Sequence, residues 1–220
     1  MLLQIADILD RATLAAIRDA LAKPSLWEDG GATAKGRARA AKNNLQACLS
    51  DPAAKGVAET IATAILANDT VRAAALPASL VRLMLNRYDE GMEYGAHVDA
   101  PYIDGVRTDL SFTLFLSEHG EYDGGALVID SAGAEDEIRL PAGSLILYPS
   151  SFLHRVERVT RGSRLAAVGW IKSRIRSAGQ RAMLFDLESA LADLVAVGAP
   201  AATRDRLANL RNNLIREFGD

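Results

Sequence analysis

Between Ser79 and Lys172 the chain is a series of short apolar or alternating runs: SLVRLMLNRY, DLSFTLFLS, GALVID, EIRL, SLILYP and RLAAVGWI. Gly, Pro, Asp and Ser separate them. Alternation with period two sends successive side chains to opposite faces of an extended strand, and runs of this length suit strands better than helices. No helical pattern intervenes, so the region predicts an antiparallel sandwich or jelly roll rather than βαβ units. Pro141-Ala142-Gly143 is placed to turn the chain between EIRL and SLILYP.

The flanks have a different pattern. Residues 1 to 77 are Ala-rich and read as mainly helical. Leu2 to Leu9 forms a short strand, and Asp10-Arg11-Ala12-Thr13 opens a helix with Leu14, Ile17 and Leu21 at helical spacing. A second helix fits Val57 to Leu66, ending before Asn68-Asp69-Thr70. After Ser173, Ala182 to Val197 carries Leu184, Leu187, Leu191 and Leu194 on one face. Beyond the Ala199-Pro200 break, Arg204 to Phe218 carries Leu207, Leu210 and Leu214. The division expected is a helical N-terminal part over 1–77, a β core over 78–175 and a helical appendage over 176–220. Two short amphipathic helices can hardly enclose a core of their own, so a homo-oligomer through the C-terminal helices is expected.

Composition excludes several classes. Of 220 residues, 49% are hydrophobic and 24% charged, which is globular rather than disordered. Lys plus Arg is 25 against 28 for Asp plus Glu, a net charge of -3 that gives no surface for nucleic acid or an anionic membrane. The one cysteine, Cys48, rules out an intramolecular disulfide and a thiolate zinc site and suits a reducing compartment. The opening MLLQIADILDRATLAAIRDAL carries Asp7 and Asp10 without a basic leader, and no apolar run reaches bilayer length, so a cytoplasmic protein is expected. The basic run AKGRARAAKNN, with Lys35, Arg37, Arg39 and Lys42, reads as a solvated loop.

The chain has three histidines. His119, in the polar SEHGEYDGG, reads as a solvent-exposed loop residue. His97 and Asp99, two apart just after a strand, present an imidazole and a carboxylate to the same side. A second imidazole, His154 in LYPSSFLHRVERV, would complete the two-histidine, one-carboxylate set of non-haem iron(II), with coordination positions left open. Zinc hydrolases use the same donors, so the triad alone does not name the metal.

Arg164, in TRGSRLAAVGWI, opens an apolar strand after an Arg161-Gly162-Ser163 turn. A diacid chelating the metal through one end would leave its other carboxylate deep in the barrel, and a planar guanidinium grips both oxygens of such a group. Leaving that charge unpaired would cost about 3–5 kcal/mol. A strand-end surface arginine is the alternative, although Arg158 and Arg161 suit that solvated role better.

With His97, Asp99, His154 and Arg164 in this order, the chain resembles the iron(II)- and 2-oxoglutarate-dependent dioxygenases of the prolyl 4-hydroxylase-like branch. Within that branch it resembles the bacterial PKHD-type hydroxylases associated with iron uptake. The likeness runs through NRYDEGMEYGAHVD, RTDLSFTLFLSE, YDGGALVI and LPAGSLILYPSSFLHRVERVTRGSRLAAVGWIKS, and more loosely through KNNL and LFDLESAL.

It implies a double-stranded β-helix, a distorted jelly roll, mainly β with N-terminal buttressing helices and a C-terminal helical appendage. His97, Asp99 and His154 match the iron ligands, Arg164 the 2-oxoglutarate arginine, and Tyr88 a tyrosine that hydrogen-bonds the cosubstrate. Related prolyl hydroxylases place a second tyrosine where this chain has Phe115, so Thr113 or Ser111 is expected to substitute. Gly124-Gly125 fits a strand start with close backbone approach. Tyr94, Pro101, Tyr102 and Asn43 or Asn44 are expected at the substrate opening.

The implied reaction uses Fe(II), 2-oxoglutarate and O2, releases succinate and CO2, and is assisted by ascorbate. The carboxylate at Asp99 favours hydroxylation over halogenation. A siderophore, a small metabolite and a protein side chain all fit as substrate. Two other readings remain: a non-catalytic jelly-roll metal- or ligand-binding module, and a zinc hydrolase with Glu93 as base.

Overall fold

The structure is a computed structural model that describes residues 1–33, 41–131 and 133–220. Its N-terminal part holds β1 (Leu3–Ile5), α1 (Arg11–Leu21), β2 (Trp27–Asp29), β3 (Lys42–Asn43), β4 (Leu45–Ala47), α2 (Pro52–Ala67) and α3 (Asp69–Ala75). Then come β5 (Pro77–Asp89), β6 (Glu93–His97), β7 (Tyr102–Ile103), β8 (Val106–Arg107), β9 (Leu110–Phe115) and β10 (Tyr122–Gly124). The remainder is β11 (Leu127–Ser131), β12 (Ala134–Ile138), β13 (Leu145–Pro149), β14 (Leu153–Val156), β15 (Val159–Ser173), α4 (Ala178–Ala196) and α5 (Ala201–Phe218).

The strands form two sheets. The larger has the order β1-β13-β9-β15-β5-β4-β2, with β10 also paired to β15, and the smaller has the order β12-β11-β14-β6-β3. Pairing is antiparallel in both, and β7 and β8 form a separate hairpin. This is the expected jelly roll.

The larger sheet is buried on both faces, and alternation sorts its residues between them. Leu83 and Leu85 of β5, Leu110, Phe112 and Leu114 of β9, and Leu145 and Leu147 of β13 face outward. There they pack with Leu14, Ile17, Ile61, Ile65 and Val71 of α1, α2 and α3 in one apolar core. Their neighbours Tyr88, Phe115, Ile146 and Tyr148 face inward and join Leu127, Ile129 and Val156 of the smaller sheet in a second core. At roughly 1.5–3 kcal/mol for each large apolar side chain fully buried, the outer core alone is enough to hold the helices on the sheet.

The three N-terminal helices begin at side-chain caps. Asp10 accepts from the Thr13 amide at 2.7 Å and opens α1, and Asp51 accepts from the Ala53 amide at 2.7 Å before Pro52 opens α2. Asn68 both ends α2 and, accepting from the Val71 amide at 3.0 Å, starts α3. The sequence there read only as a stop.

Three further expectations need completing or correcting. Residues 1–77 carry the expected helices, but β1 to β4 among them also enter the two sheets. Strands of two or three residues are too short for alternation to show. Second, Arg161-Gly162-Ser163 is not a turn: β15 already runs from Val159, with Gly162 opposite Tyr122 of β10. Gly162 sits at φ 75°, and a Cβ there would lie 2.0 Å from the Glu121 carbonyl oxygen, so the glycine permits close strand pairing rather than reversal.

Third, Lys42 is buried rather than solvated. It lies on β3 opposite Tyr94, and burial lowers its amine to about 8 despite the neighbouring Asp29 charge. Lys35, Arg37 and Arg39 lie outside the described residues.

The C-terminal helices pack against each other, and α4 also packs against α3. Arg181 of α4 is buried and donates to the Ile175 and Arg176 carbonyls, while Arg107 pairs with Asp109 and with Asp220 at the end of the chain. No residue of α5 is buried, and Met183, Val195, Val197 and Leu210 are exposed. No helix among the described residues is long and apolar enough to cross a membrane.

Candidate active site

A cavity of about 470 Å3 lies between the sheets. His97, Asp99 and His154 line it from the smaller sheet's side, and Tyr88, Ser111, Thr113 and Tyr148 from the larger. His97 ends β6 and His154 sits in β14, directly opposite in register, with ring centroids 4.3 Å apart. Asp99 follows on the loop after β6. One Nε2 or carboxylate oxygen from each of the three lies within 4.8 Å of the others. His97 Nε2 is 3.9 Å from Asp99 Oδ1 and His154 Nε2 is 3.8 Å from Asp99 Oδ2. All three side chains are about nine-tenths buried.

Backbone carbonyls set both imidazoles. His97 Nδ1 lies 2.9 Å from the Gly95 oxygen and His154 Nδ1 lies 3.0 Å from the Phe152 oxygen. A carbonyl can only accept, so each Nδ1 carries the proton and each Nε2 turns its lone pair to the cluster. Burial, followed by the proximity of His154, lowers His97 to about 4, so it is neutral and able to ligate at neutral pH. Tyr94 stacks on His97 at 3.7 Å between centroids and 18° between planes, with the Lys42 amine 5.4 Å from the Tyr94 ring centre. Two nitrogens and one carboxylate, preorganised and mostly dry, fit a divalent transition metal with open coordination positions.

At the other end of the inner face is Arg164. It pairs with Tyr88 across β15 and β5, is 1% exposed, and lies 5.5 Å from the Tyr88 ring centre and 5.2 Å from that of Phe115. Its Nε and Nη2 are buried without hydrogen-bond partners. A buried guanidinium with unfilled donors is costly, and an anion entering the cavity would relieve that cost. The site thus fits a small carboxylate with one end at Arg164 and the other at the His-Asp-His cluster.

Gly125 lets Arg164 lie flat. At φ 61° a Cβ there would stand 3.1 Å from Arg164 Cδ and 2.9 Å from Val159 Cγ2, in agreement with the close approach expected at Gly124-Gly125.

The hydroxyls around this space sort differently from expectation. Ser111 is not available as a cosubstrate contact, because its Oγ donates to Asp99 Oδ2 at 2.6 Å. Thr113 lies on the cavity face beside the Tyr148 hydroxyl. Tyr148 went unrecognised in the sequence, where LILYP reads as one apolar strand. It stands edge-on to His154 at 5.2 Å, with Arg164 and Tyr88 as electrostatic neighbours. Burial, then the Asp99 charge, raises its hydroxyl well above the ordinary tyrosine range, and burial raises Tyr88 to about 12 despite Arg164. Both remain protonated donors.

Tyr102 and Pro101 are exposed, with Tyr102 at the cavity mouth, where Arg82 pairs with Asp104 of the β7–β8 hairpin. Asn43 is exposed, while Asn44 is buried. His119 is exposed. Glu93 pairs at the surface with Arg158 at 2.7 Å, and Arg161 pairs there with Asp123, which leaves Glu93 unsuited as a base at the cluster.

Residues 83–172 match the family described as the 2OG-Fe(II) oxygenase superfamily, so fold, cluster and sequence together define an iron- and 2-oxoglutarate-dependent oxygenase. A PKHD-type hydroxylase of Parvibaculum lavamentivorans is 44% identical over 220 residues, covering 100% of both chains, and one of Hyphomonas neptunium is 40% identical over full length. The chain belongs to the PKHD-type hydroxylase family, whose activity is enzymatic hydroxylation. Among solved structures, a Pseudomonas putida prolyl-4-hydroxylase superposes with a TM-score of 0.54 at 22% identity, covering 79% of this chain and 92% of that one. A viral collagen prolyl hydroxylase gives 0.54 at 16%, covering 78% and 96%. At those identities the likeness concerns the fold.

Proposed function

We propose that the chain binds iron(II) through His97, Asp99 and His154, binds 2-oxoglutarate through Arg164, and hydroxylates a substrate that enters past Tyr102. The observation that carries this reading is the pair of unfilled donors on buried Arg164, which stands beside Tyr88 and Tyr148 in the wall of the cavity that holds the His-Asp-His cluster. When bound, iron supplies the redox chemistry that couples oxidative decarboxylation of 2-oxoglutarate, yielding succinate and CO2, to insertion of oxygen into a substrate C–H bond.

The chain's own part is positioning. Arg164 grips the far carboxylate in a planar fork. Tyr88 and Tyr148, held protonated, donate toward the same molecule, with Tyr148 supplying the hydroxyl that Phe115 lacks and Thr113 steadying it. Tyr94 braces His97, and Leu127 and Val156 keep the inner wall dry. Tyr94 and Tyr102 meet the substrate at the opening. A link to iron uptake and a reductant role for ascorbate belong to the same proposal and rest on the family resemblance. A non-catalytic binding module is not favoured, since the full-length relatives are PKHD-type hydroxylases and the family match is to 2OG-Fe(II) oxygenases.

The test is succinate formation from 2-oxoglutarate in air with added iron(II) and ascorbate. Slow turnover without any second substrate, abolished in Arg164→Ala, supports the reading. Equal turnover in the variant overturns the role of Arg164, and no turnover together with no 2-oxoglutarate-induced absorption band in the anaerobic iron-loaded protein overturns the enzyme reading. Self-association through the C-terminal helices is also proposed. Light scattering at twice the 23.5 kDa chain mass would support it, and the monomer mass would remove it.

A further inference from the structure

The carboxylate of Asp99 is held from the opposite sheet. Its Oδ2 accepts from Ser111 Oγ at 2.6 Å, and Ser111 Oγ lies 2.9 Å from Ser150 Oγ. Ser111 is in β9 and 2% exposed. Ser150 follows β13, is 4% exposed, and is fixed by its own amide, which donates to the Asp109 carbonyl at 3.2 Å.

Proton counting gives this chain a direction. A serine hydroxyl carries one proton and an ionised carboxylate carries none, so the Ser111 proton goes to Asp99. The contact between the two serines can then form only if Ser150 donates to Ser111. The order Ser150 to Ser111 to Asp99 leaves no choice of rotamer for either proton, and a hydroxyl that is itself accepting a hydrogen bond is the stronger donor.

We propose that Ser150 and Ser111 are positioning residues that fix the plane of the Asp99 carboxylate and engage Oδ2 in a hydrogen bond, so that ligation of the metal falls to Oδ1 although both oxygens lie within 4 Å of an imidazole Nε2. This rests on the metal reading above. A carboxylate free to turn could offer both oxygens and fill a coordination position that the reaction needs open. The two serines join loop and sheet from opposite sides of the cavity, so the same contacts also fix how far Asp99 stands from the two imidazoles.

The experiment uses the full chain and Co(II) as the probe, with affinity from calorimetry and ligand geometry from the visible absorption of the Co(II) protein. Ser111→Ala is expected to weaken Co(II) binding about 10–100-fold, as loss of a metal ligand's hydrogen-bond partner generally does, and to change the visible band shape. Ser150→Ala should weaken it several-fold and move the band in the same direction. Both metal-free variants should melt within a few degrees of wild type.

Wild-type affinity and spectrum in both variants would overturn the relay while leaving the metal site intact. A loss confined to a Ser111→Ala protein that has also lost its fold by circular dichroism, with Ser150→Ala at wild-type affinity, would overturn it as well. Failure of the wild type to bind Co(II) would overturn the metal reading and the relay together, so the wild-type titration tells the two failures apart.

Discussion

Tyr94 lies nearly flat against His97, with ring centroids 3.7 Å apart, on the strand that ends in the histidine. Stacking of this kind contributes about 0.5–1.5 kcal/mol beyond area burial. Tyr94→Leu should weaken metal binding about 2- to 10-fold, whereas Tyr94→Phe should bind as wild type. Equal affinity in all three proteins, measured by anaerobic iron(II) titration, would show that the ring does not orient His97.

Arg164 holds a charge in an apolar setting with donors unfilled, so function and stability should oppose each other there. Arg164→Met preserves much of the volume and removes the unpaired cation. The variant without 2-oxoglutarate is expected to gain roughly 1–3 kcal/mol, read as a melting temperature several degrees higher, while 2-oxoglutarate binding is lost. A variant less stable than wild type would mean that Arg164 is fully satisfied within the protein.

Tyr148→Phe removes one hydroxyl and little else. A hydrogen bond to a charged group is worth about 1.5–3 kcal/mol. The KM for 2-oxoglutarate should therefore rise by roughly one to two powers of ten, with metal affinity unchanged. An unchanged KM would return the second polar contact to Thr113.

The metal-free protein should lose stability in acid through His97. Its folded value is lowered to about 4 from 6.5, mainly by burial. The unfolded chain therefore binds more protons between those values, and stability rises with pH across that window. The contribution is complete above pH 6.5 and is lost as the pH falls to about 4. Melting temperatures of metal-free wild type and His97→Asn, measured from pH 4 to 7, should converge toward the acid end.

The residues legible in the sequence were those whose chemistry does not depend on their neighbours. His97 and Asp99 are two apart in extended chain, and the short, largely apolar runs that mark β5, β9, β13 and β15 come from strands buried on two faces. Tyr148 was hidden because a tyrosine in LILYP looks like packing until the strand's inward face is known. Lys42 misled for the opposite reason: within a basic run it looks solvated, and only the two-residue β3 carries it inside. Ser111 was named only as a cosubstrate contact, and its pairing with Ser150 on Asp99 could not be seen, since the three residues meet only through pairings made across distant segments.

The doubly covered sheet has an evolutionary corollary. Along β5, β9, β13 and β15 each residue that faces the helices adjoins in sequence one that faces the cavity, so catalytic tuning and thermal tolerance are written on alternate letters of the same four words. A saturation library scored separately for protein abundance and for turnover should resolve into two interleaved combs, abundance failing at Leu83, Leu85, Leu114 and Leu145 and turnover failing at Tyr88, Ser111, Tyr148 and Arg164. Such a scaffold can exchange substrates by changing one comb while leaving the other untouched.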